Sequence, residues 1–511
     1  MKKYLLLILL AIFAVSCSKK VEIKGKIAGG SPLERLEIIE ASGVGTLPLV
    51  NLAVDKDGNF SGNFEAPKNG LYVISYAGKN NMIYLKKGQE LNISGKSENF
   101  PQEYTITGDA KANNDFLKES QKAFENYASK INIQELLTKD EAAFITQFNK
   151  IQTEVSGIFK DNAKKLNADD DVLKYKEEET TARLMGLLDA YEEQHGMLTA
   201  KPAFKVSEKF KELRKKLEKN DDRMIRNYPM YRDYKLNKLN GEFQKYASTL
   251  PQNDKEQPMI SEVFANFLKT QKNLSQTAKD YLYAYVLAQS DLNFNNAKNY
   301  DKLTKLIDNN ISNSEIKSEL KELQKTLMGF KAGTTPQMKL MSANGETKYL
   351  GQLKGKPTLV TFYASWNPTI AISTTPILKE VAEFYKAKMN FAYVDLDDTK
   401  EQFLKTSSSL FKGFPGEQYW IEGGINSSVA RKFGLYGFKT PSFIILDANG
   451  KLYGRPFFNL GDPELVQTLE KLTGIKAPDA PEHDIQLDLM EEDHSGHNHE
   501  EHTTVDSASA K

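Results

Sequence analysis

The N-terminal part of the chain alternates apolar and polar residues with the period of two that is typical of half-buried β-strands. The alternation is clearest in Val21-Glu22-Ile23-Lys24-Gly25-Lys26-Ile27. Several short strands of this kind predict a small β-sandwich over residues 18–110. The other alternating runs occupy residues 36–39, 60–64, 71–76, 82–85 and 91–94, with glycine-containing turns at 29–30, 57–58 and 86–88.

Asp55, Asp57 and Asn59 in this region are spaced like the first ligands of a calcium-binding loop. The glycine is misplaced for such a loop, and no glutamate closes it at the twelfth position. We therefore expect an ordinary turn at Asp57-Gly58.

From about residue 113 the apolar residues recur with the period of an α-helix, as in Ile316, Leu320, Leu323 and Leu327. The pattern predicts an α-helical bundle over residues 111–332, with breaks near 199–202, 228–229, 251–254 and 333–336. Ser312-Asn313-Ser314-Glu315 has the spelling of a capping box with Ser312 as the cap. His195 has no neighbour in sequence that suggests catalysis, and we expect it at the surface or at a boundary. The aromatic residues Tyr228, Tyr231, Tyr234 and Phe243 are expected in the core of the bundle.

The last part of the chain predicts a mixed α/β domain over residues 333–476. An apolar run at 359–365 indicates a buried strand, which continues into a helix that Pro376 should bend.

Thr440-Pro441 precedes a second apolar strand at 442–446, where a cis peptide bond is expected because X-Pro bonds reach the cis state at low cost. The segment Asp447-Ala448-Asn449-Gly450-Lys451 predicts a hairpin turn. The final helix should begin at Asp462-Pro463 and end at Gly474.

The corner between the strand at 359–365 and its helix is Trp366-Asn367-Pro368-Thr369-Ile370. Together with the lead-in Lys354-Gly355-Lys356-Pro357 and with Thr440-Pro441, it resembles the active-site region of thioredoxin-like proteins. The resemblance is strongest to the membrane-tethered thiol-disulfide oxidoreductases of bacterial envelopes, in which a β-domain of unknown function often comes first. It implies a multidomain α+β protein: an N-terminal β-sandwich, a central α-helical bundle and a C-terminal α/β thioredoxin-like fold.

In that family the corner carries Trp-Cys-x-x-Cys, and here Asn367 and Ile370 stand at the cysteine positions. Thiol-disulfide exchange needs an attacking thiolate and a second sulfur, so no catalytic residue is assigned. The resemblance leaves one capacity, which is to pair an extended peptide beside the cis-proline by strand addition. We expect Trp366, Asn367, Thr440 and Pro441 to line such a partner-binding groove. The alternative is that Trp366 merely fills the former site.

The start of the chain predicts a lipoprotein signal peptide over residues 1–17. Met1-Lys2-Lys3 is basic, residues 4–13 are apolar, and Ala14-Val15-Ser16-Cys17 resembles a bacterial lipobox. The apolar run is shorter than the ~20 residues of a membrane span. We expect Cys17 to be lipidated and the protein to be anchored in the envelope, at the outer membrane and facing the periplasm. A plain secretory signal, which would leave Cys17 as an exposed thiol, is the alternative.

Composition changes this picture little, except at the end of the chain. A length of 511 residues predicts two to four domains, and 68 basic against 68 acidic residues give no reason to expect nucleic acid as a partner. The balance hides an acidic segment, because ten carboxylates and one lysine follow residue 478.

Residues 477–511 are therefore expected to be a disordered, acidic tail. The imidazoles of His494, His497, His499 and His502 are close enough in sequence to share a divalent cation such as zinc, copper or nickel. The alternative is a solvated tail without a metal, and no other cofactor is expected.

These observations favour an envelope lipoprotein whose thioredoxin-like domain is redox-inactive and binds or scaffolds envelope proteins or peptides. Two other functions stay open. The family resemblance alone suggests a thiol-disulfide oxidoreductase or peroxidase, and the tail suggests metal binding.

Overall fold

The computed structural model describes residues 20–218, 221–251, 258–329 and 331–477. Strands form its N-terminal domain, and two of them, β3 and β8, lie outside the runs that alternation predicts. The strands are β1 (Lys20–Ala28), β2 (Arg35–Glu40), β3 (Pro48–Ala53), β4 (Asn59–Glu65), β5 (Gly70–Tyr76), β6 (Lys79–Leu85), β7 (Glu90–Lys96) and β8 (Thr105–Gly108).

These strands build two four-stranded sheets that share one apolar core. Sheet I has the order β4-β1-β7-β8, and sheet II has the order β3-β2-β5-β6. Val21 and Ile23 of sheet I and Leu36 and Ile38 of sheet II are buried together between the sheets. In β1, β4 and β5 the alternation therefore buries one face of the strand, as the sandwich prediction requires.

A helical region follows, with its own apolar core. Its last helix is capped by the side chain of Asn313, which accepts from the N–H groups of Glu315 and Ile316, rather than by Ser312 of the predicted capping box. The helices are α1 (Lys111–Ala128), α2 (Ile133–Thr138), α3 (Glu141–Leu166), α4 (Asp170–Leu198), α5 (Glu208–Leu217), α6 (Asp221–Asn227), α7 (Pro229–Ser248), α8 (Ile260–Thr270), α9 (Gln276–Ser290), α10 (Tyr300–Asn310) and α11 (Ser314–Met328).

The prediction that His195 lies at the surface or at a boundary is wrong. Only 2% of its surface is exposed, its Nδ1 is 2.8 Å from the carbonyl oxygen of Leu137, and its ring packs against Tyr191 and Phe204. A buried imidazole needs such a hydrogen-bond partner, and the tertiary structure supplies one from α2.

The C-terminal domain is a seven-stranded sheet with apolar clusters on both faces. The sheet order is β10-β9-β13-β12-β11-β14-β15. Its elements are β9 (Lys339–Ser342), β10 (Thr347–Tyr349), β11 (Thr358–Tyr363), α12 (Thr375–Tyr385), β12 (Asn390–Asp395), α13 (Lys400–Ser409), β13 (Glu417–Trp420), α14 (Ser428–Lys432), β14 (Ser442–Leu446), β15 (Leu452–Phe457) and α15 (Pro463–Thr473).

The helical region holds the sandwich through the loop that joins β2 and β3. The guanidinium of Arg232, which is 1% exposed, donates to the carbonyl oxygens of Ser42 and Gly43. The carboxylate of Glu319 accepts from the N–H of Val44 at 2.9 Å. The predicted multidomain α+β class is thus confirmed, and no helix in the described ranges is long and apolar enough to cross a bilayer.

Candidate functional site

The candidate site is the corner at which the buried strand β11 ends and the chain turns toward α12. Beyond the strand, the N–H of Ser365 donates to Oδ1 of Asp397 at 2.8 Å. The N–H of Asn367 then bonds to the carbonyl of Ala364, and the N–H of Ile370 bonds to the carbonyl of Asn367. A π-helical stretch, Ile370–Thr374, leads directly into α12, and Pro376 lies in the first turn of that helix.

Asn367 and Ile370 have structural partners at the corner. The side-chain amide of Asn367 donates to the carbonyl oxygen of Thr440 and, at 3.3 Å, to its hydroxyl. Its oxygen accepts from the N–H of Thr369 at 3.0 Å. Ile370 is fully buried in the apolar cluster beside the sheet. Neither side chain can attack or resolve a disulfide.

Thr440 and Pro441 lie directly opposite this corner. Their peptide bond is cis, as the sequence predicts. The Thr440 hydroxyl donates to the carbonyl of Gly437 at 2.7 Å, which fixes the short loop ahead of β14. The side chain of Asn367 therefore joins the corner to this loop. The two segments would form adjacent sides of the predicted groove.

Trp366 is covered by the sandwich and is only 9% exposed. The guanidinium of Arg35, on β2, lies 4.9 Å from the centroid of the indole ring, within the range of a cation–π contact. The loop ahead of the cis-proline also approaches closely, because a Cβ on Gly437 would lie 2.9 Å from Nδ2 of Asn51 and 3.3 Å from Cη2 of Trp366. The Trp366 side of the predicted groove is therefore occupied by the chain's own N-terminal domain.

Arg35 is the centre of this contact between domains. Its two terminal nitrogens bond to the carboxylate of Asp398 at 2.7 and 3.1 Å, in the bidentate geometry that suits a guanidinium. It also donates to the side chain and, at 3.0 Å, to the carbonyl oxygen of Asn51. The side chain of Arg35 is 6% exposed and that of Asp398 is 25% exposed, so solvent screens the pair only in part.

Two more side chains of the C-terminal domain bind the exposed edge of β3. The amide of Asn426 accepts from the main-chain N–H of Asn51 at 2.9 Å and donates to its carbonyl at 2.6 Å. The guanidinium of Arg431 donates to the carbonyl oxygens of Leu49 and Pro48. These contacts satisfy main-chain groups that the edge of sheet II would otherwise expose.

Two buried carboxyl groups lie beneath the corner. Asp395 and Asp397 have no exposed surface. Burial, together with the neighbouring Asp397, raises the pKa of Asp395 well above the ordinary range of an aspartate. Burial also raises the pKa of Asp397, although its hydrogen bonds from Ser365 oppose the shift.

Other predicted site residues lie outside the described ranges. These are Cys17 and the histidines His494, His497, His499 and His502. Within the described ranges, no group of three or more metal-ligating side chains is placed to hold a cation. Asp55 forms an ordinary turn, because its carboxylate accepts from the N–H groups of Asp57 and Asn59. The partner-binding role of Trp366, Asn367, Thr440 and Pro441 stays a prediction.

Sequence reasoning did not identify the residues that cover the corner. Arg35, Asn426, Arg431 and Asp398 are single polar residues in unremarkable contexts, and no spacing or motif marks them. Only the approach of two separately folded domains brings them together.

Comparison with known proteins identifies one matching family. Residues 355–452 match the thioredoxin-like family model, and no curated protein sequence matches the chain. The C-terminal domain of a proposed thiol-disulfide oxidoreductase from Bacteroides thetaiotaomicron is 28% identical, over 28% of this chain and 96% of that one, with a TM-score of 0.25. A thiol-disulfide oxidoreductase from Bacteroides fragilis is 20% identical over 27% and 98% of the two chains, with a TM-score of 0.23. The C-terminal domain is thus thioredoxin-like, an assignment that rests on the family model.

Proposed function

We propose that this chain is a lipid-anchored protein of the bacterial envelope whose thioredoxin-like domain holds other protein segments without thiol chemistry. The sequence contains one cysteine, Cys17, at the lipobox. An oxidoreductase or peroxidase of the family type would need sulfur at the corner, where Asn367 and Ile370 stand instead.

The proposal rests on the hydrogen bonds between β3 and the face of the thioredoxin-like domain around Trp366. Asn426 and Arg431 bind the main chain of the extended strand β3. Beside the indole ring, the guanidinium of Arg35 forms an ion pair with the carboxylate of Asp398. Main-chain recognition of this kind does not depend on sulfur. The face therefore already binds a protein segment, although that segment belongs to the same chain.

A second segment would have to enter from the side that the sandwich leaves open. Pro368 and Thr369 are exposed there, and Ile372 on the following turn is 77% exposed. Such an apolar side chain next to ordered main-chain groups is suited to anchoring an extended peptide.

The partner-binding part can be tested by crosslinking and pulldown from envelope membranes with the full chain. Ile372→Asp should lose partners that the wild type captures, because a charge replaces the exposed apolar anchor. Ile260→Asp is the matched control, since Ile260 is also an exposed isoleucine, 54% exposed, on the helical region. Removing residues 481–511 should leave the partners bound. Loss of all partners with the tail, and none with Ile372→Asp, would assign binding to the tail instead.

The anchoring part is tested separately. Labelling with an alkyne fatty acid should mark the wild type and not Cys17→Ser, and only the wild type should sediment with membranes, because stable anchoring needs more than one acyl chain. Equal sedimentation of both proteins would contradict the lipobox.

A further inference from the structure

A cleft opens where the outer face of sheet I meets the thioredoxin-like domain. Its volume is about 750 Å³. Outward-facing side chains of β1, β4 and β7 form one wall, and Gln402 and the edge of Trp366 belong to the other. Clefts of this size between domains are common sites for small molecules. The cleft is separate from the open side of the corner to which the partner proposal refers.

The sheet wall is an ordered array, because strand pairing aligns its side chains in two rows. Lys24 lies between Ser61 of β4 and Asn92 of β7, and Lys26 lies between Asn59 and Ser94. Residues two apart on a strand point to the same face, so Lys24 and Lys26 share one face of β1 with their Cα atoms about 7 Å apart. Both lysines are exposed on this face.

The other charged side chains of the lining, Arg35 and Asp55, already have partners, whereas Lys24 and Lys26 form no ion pair with a described carboxylate. The guanidinium of Arg35 is bound by Asp398 and Asn51. The carboxylate of Asp55 is used by its own turn, where the side-chain and main-chain hydrogen bonds from Asn59 lower its pKa. Lys26 contributes only a weaker long-range attraction to Asp55. No described carboxylate forms an ion pair with Lys24 or Lys26.

The neutral groups of the lining favour a ligand that carries hydroxyls. Gln402 uses its oxygen to accept from the N–H of Thr399 at 3.0 Å, so its amide N–H groups remain as donors. The hydroxyls of Ser61 and Ser94 and the amide of Asn92 can both donate and accept. The lining also contains apolar surface from Pro32, Ala53, Val54, Phe60 and the indole edge. The carbon skeleton of a hydroxylated ligand can pack against this surface while its hydroxyls bond to the polar side chains.

We propose that this cleft binds a small hydroxylated anion, with a carboxylate or phosphate between Lys24 and Lys26 and hydroxyl groups bonded to the serine and amide side chains. Charge-assisted hydrogen bonds to the ammonium groups supply most of the affinity, and the rows of neutral side chains orient the rest of the ligand. Because both walls are needed, the site exists only when the sandwich is docked on the thioredoxin-like domain. The proposal does not depend on the lipid anchor or on a protein partner.

Isothermal titration of the detergent-solubilised full chain with glucuronate, glucose 6-phosphate, glucose and inorganic phosphate tests the proposal. Glucuronate, glucose 6-phosphate or both should bind at least tenfold more tightly than glucose and than inorganic phosphate. Tight binding of glucuronate alone identifies a carboxylate as the anion, and tight binding of glucose 6-phosphate alone identifies a phosphate. Tight binding of both shows that the site recognises negative charge in either group. Equal binding of glucose would overturn the role of the lysines, and equal binding of inorganic phosphate would overturn the role of the hydroxyls.

Variants connect the binding to the cleft. The double variant Lys24→Gln, Lys26→Gln should weaken binding at least tenfold, whereas Lys87→Gln, an exposed lysine in the turn before β7, should leave it unchanged. Both changes are at the surface, so circular dichroism should show an unaltered fold. Binding should also change the fluorescence of Trp366, and this change should disappear in Trp366→Phe. Absence of binding by all four probes, or equal loss in Lys87→Gln, would overturn the proposal.

Discussion

At the residue scale, Asn367 and Ile370 have structural roles at the corner. The amide of Asn367 satisfies the carbonyl of Thr440 and the N–H of Thr369, two main-chain groups that the turn would otherwise leave open. Ile370 is completely buried, and burying an isoleucine side chain stabilises a protein by about 2 kcal/mol. Both residues therefore contribute to the order of the corner rather than to electron transfer.

We expect the wild type to show no turnover in an insulin-reduction assay, because no sulfur stands at positions 367 and 370. In a Cys17→Ser background, the double variant Asn367→Cys, Ile370→Cys should form a reversible disulfide. The hydrogen bond from the N–H of Ile370 to the carbonyl of Asn367 shows that a tight turn brings these positions close. Thiol titration before and after reduction measures the formation of this disulfide, and the single variants Asn367→Cys and Ile370→Cys are the controls. Turnover by the wild type well above buffer would contradict the redox-inactive assignment.

Asp395 carries a second prediction at this scale. Its pKa is raised in the folded protein, so the folded state holds a proton that the unfolded state releases at about pH 4. Stability should therefore fall as the pH rises above that value. Asp395→Asn removes the titration and keeps an oxygen to accept from the N–H of Asp397, now 2.6 Å away.

Thermal unfolding at pH 5 and pH 8 measures this effect. The variant should exceed the wild type in melting temperature by more at pH 8 than at pH 5. Asp57→Asn, at an exposed turn position, is the control and should not change the pH dependence. An identical pH dependence in Asp395→Asn and the wild type would rule out the buried titration.

At the scale of elements, β3 shows how an edge strand is protected. An uncovered edge presents main-chain donors and acceptors that invite pairing with other chains. Here Asn426 and Arg431 occupy those groups from outside the sheet. The covering side chains come from the short helix α14 and the turn before it, so this edge is protected by residues more than 370 positions later in the chain.

Hydrogen exchange should detect the protection of the β3 edge by Asn426. In Asn426→Ala, the main-chain N–H of Asn51 loses its acceptor and should exchange about tenfold faster or more, which corresponds to loss of about 1.4 kcal/mol of protection. Amides within β1, inside sheet I, should keep their rates. Asn344→Ala, in the turn between β9 and β10, is the matched control. Unchanged exchange at Asn51 would mean that the edge is protected by something other than Asn426.

At the scale of the whole molecule, Arg35 is one of the residues that hold the sandwich against the thioredoxin-like domain. Arg35→Ala removes the ion pair with Asp398 and the cation–π contact with Trp366. It should weaken the association of the sandwich with the thioredoxin-like domain by about 2 kcal/mol. Arg35→Lys should recover only part of it, because an ammonium group lacks the planar fork. The emission of Trp366 should shift to the red, and the interdomain loops should become more sensitive to protease. Trp420, whose indole donates to Asp397, is the internal reference.

Arg183→Ala provides the matched control, because Arg183 also pairs with a partly buried carboxylate, that of Glu179 on its own helix, away from the corner. It should leave both the emission and the proteolysis unchanged. The same emission in Arg35→Ala as in the wild type would show that Arg232 and Glu319 hold the sandwich in place without the ion pair of Arg35.

The sequence by itself determined the class of each domain and much of the corner. Period-two alternation marks the strands with one buried face, because burial of alternate side chains leaves that trace in the chain. Local turn chemistry likewise predicts the bend at Gly450 and the last helix between Asp462 and Gly474, each of which depends on neighbours a few residues away.

The tertiary structure alone decided what covers these elements. His195 is buried because α2 packs over it, and β3 forms although its sequence shows little alternation, because β2 pairs with it on one side and the thioredoxin-like domain covers the other. Trp366 is at the corner that the sequence predicts, yet Arg35, 331 residues earlier, sets its exposure. Such contacts join residues that share no local pattern, since they arise from the complementarity of finished surfaces rather than from the periodicity of one segment.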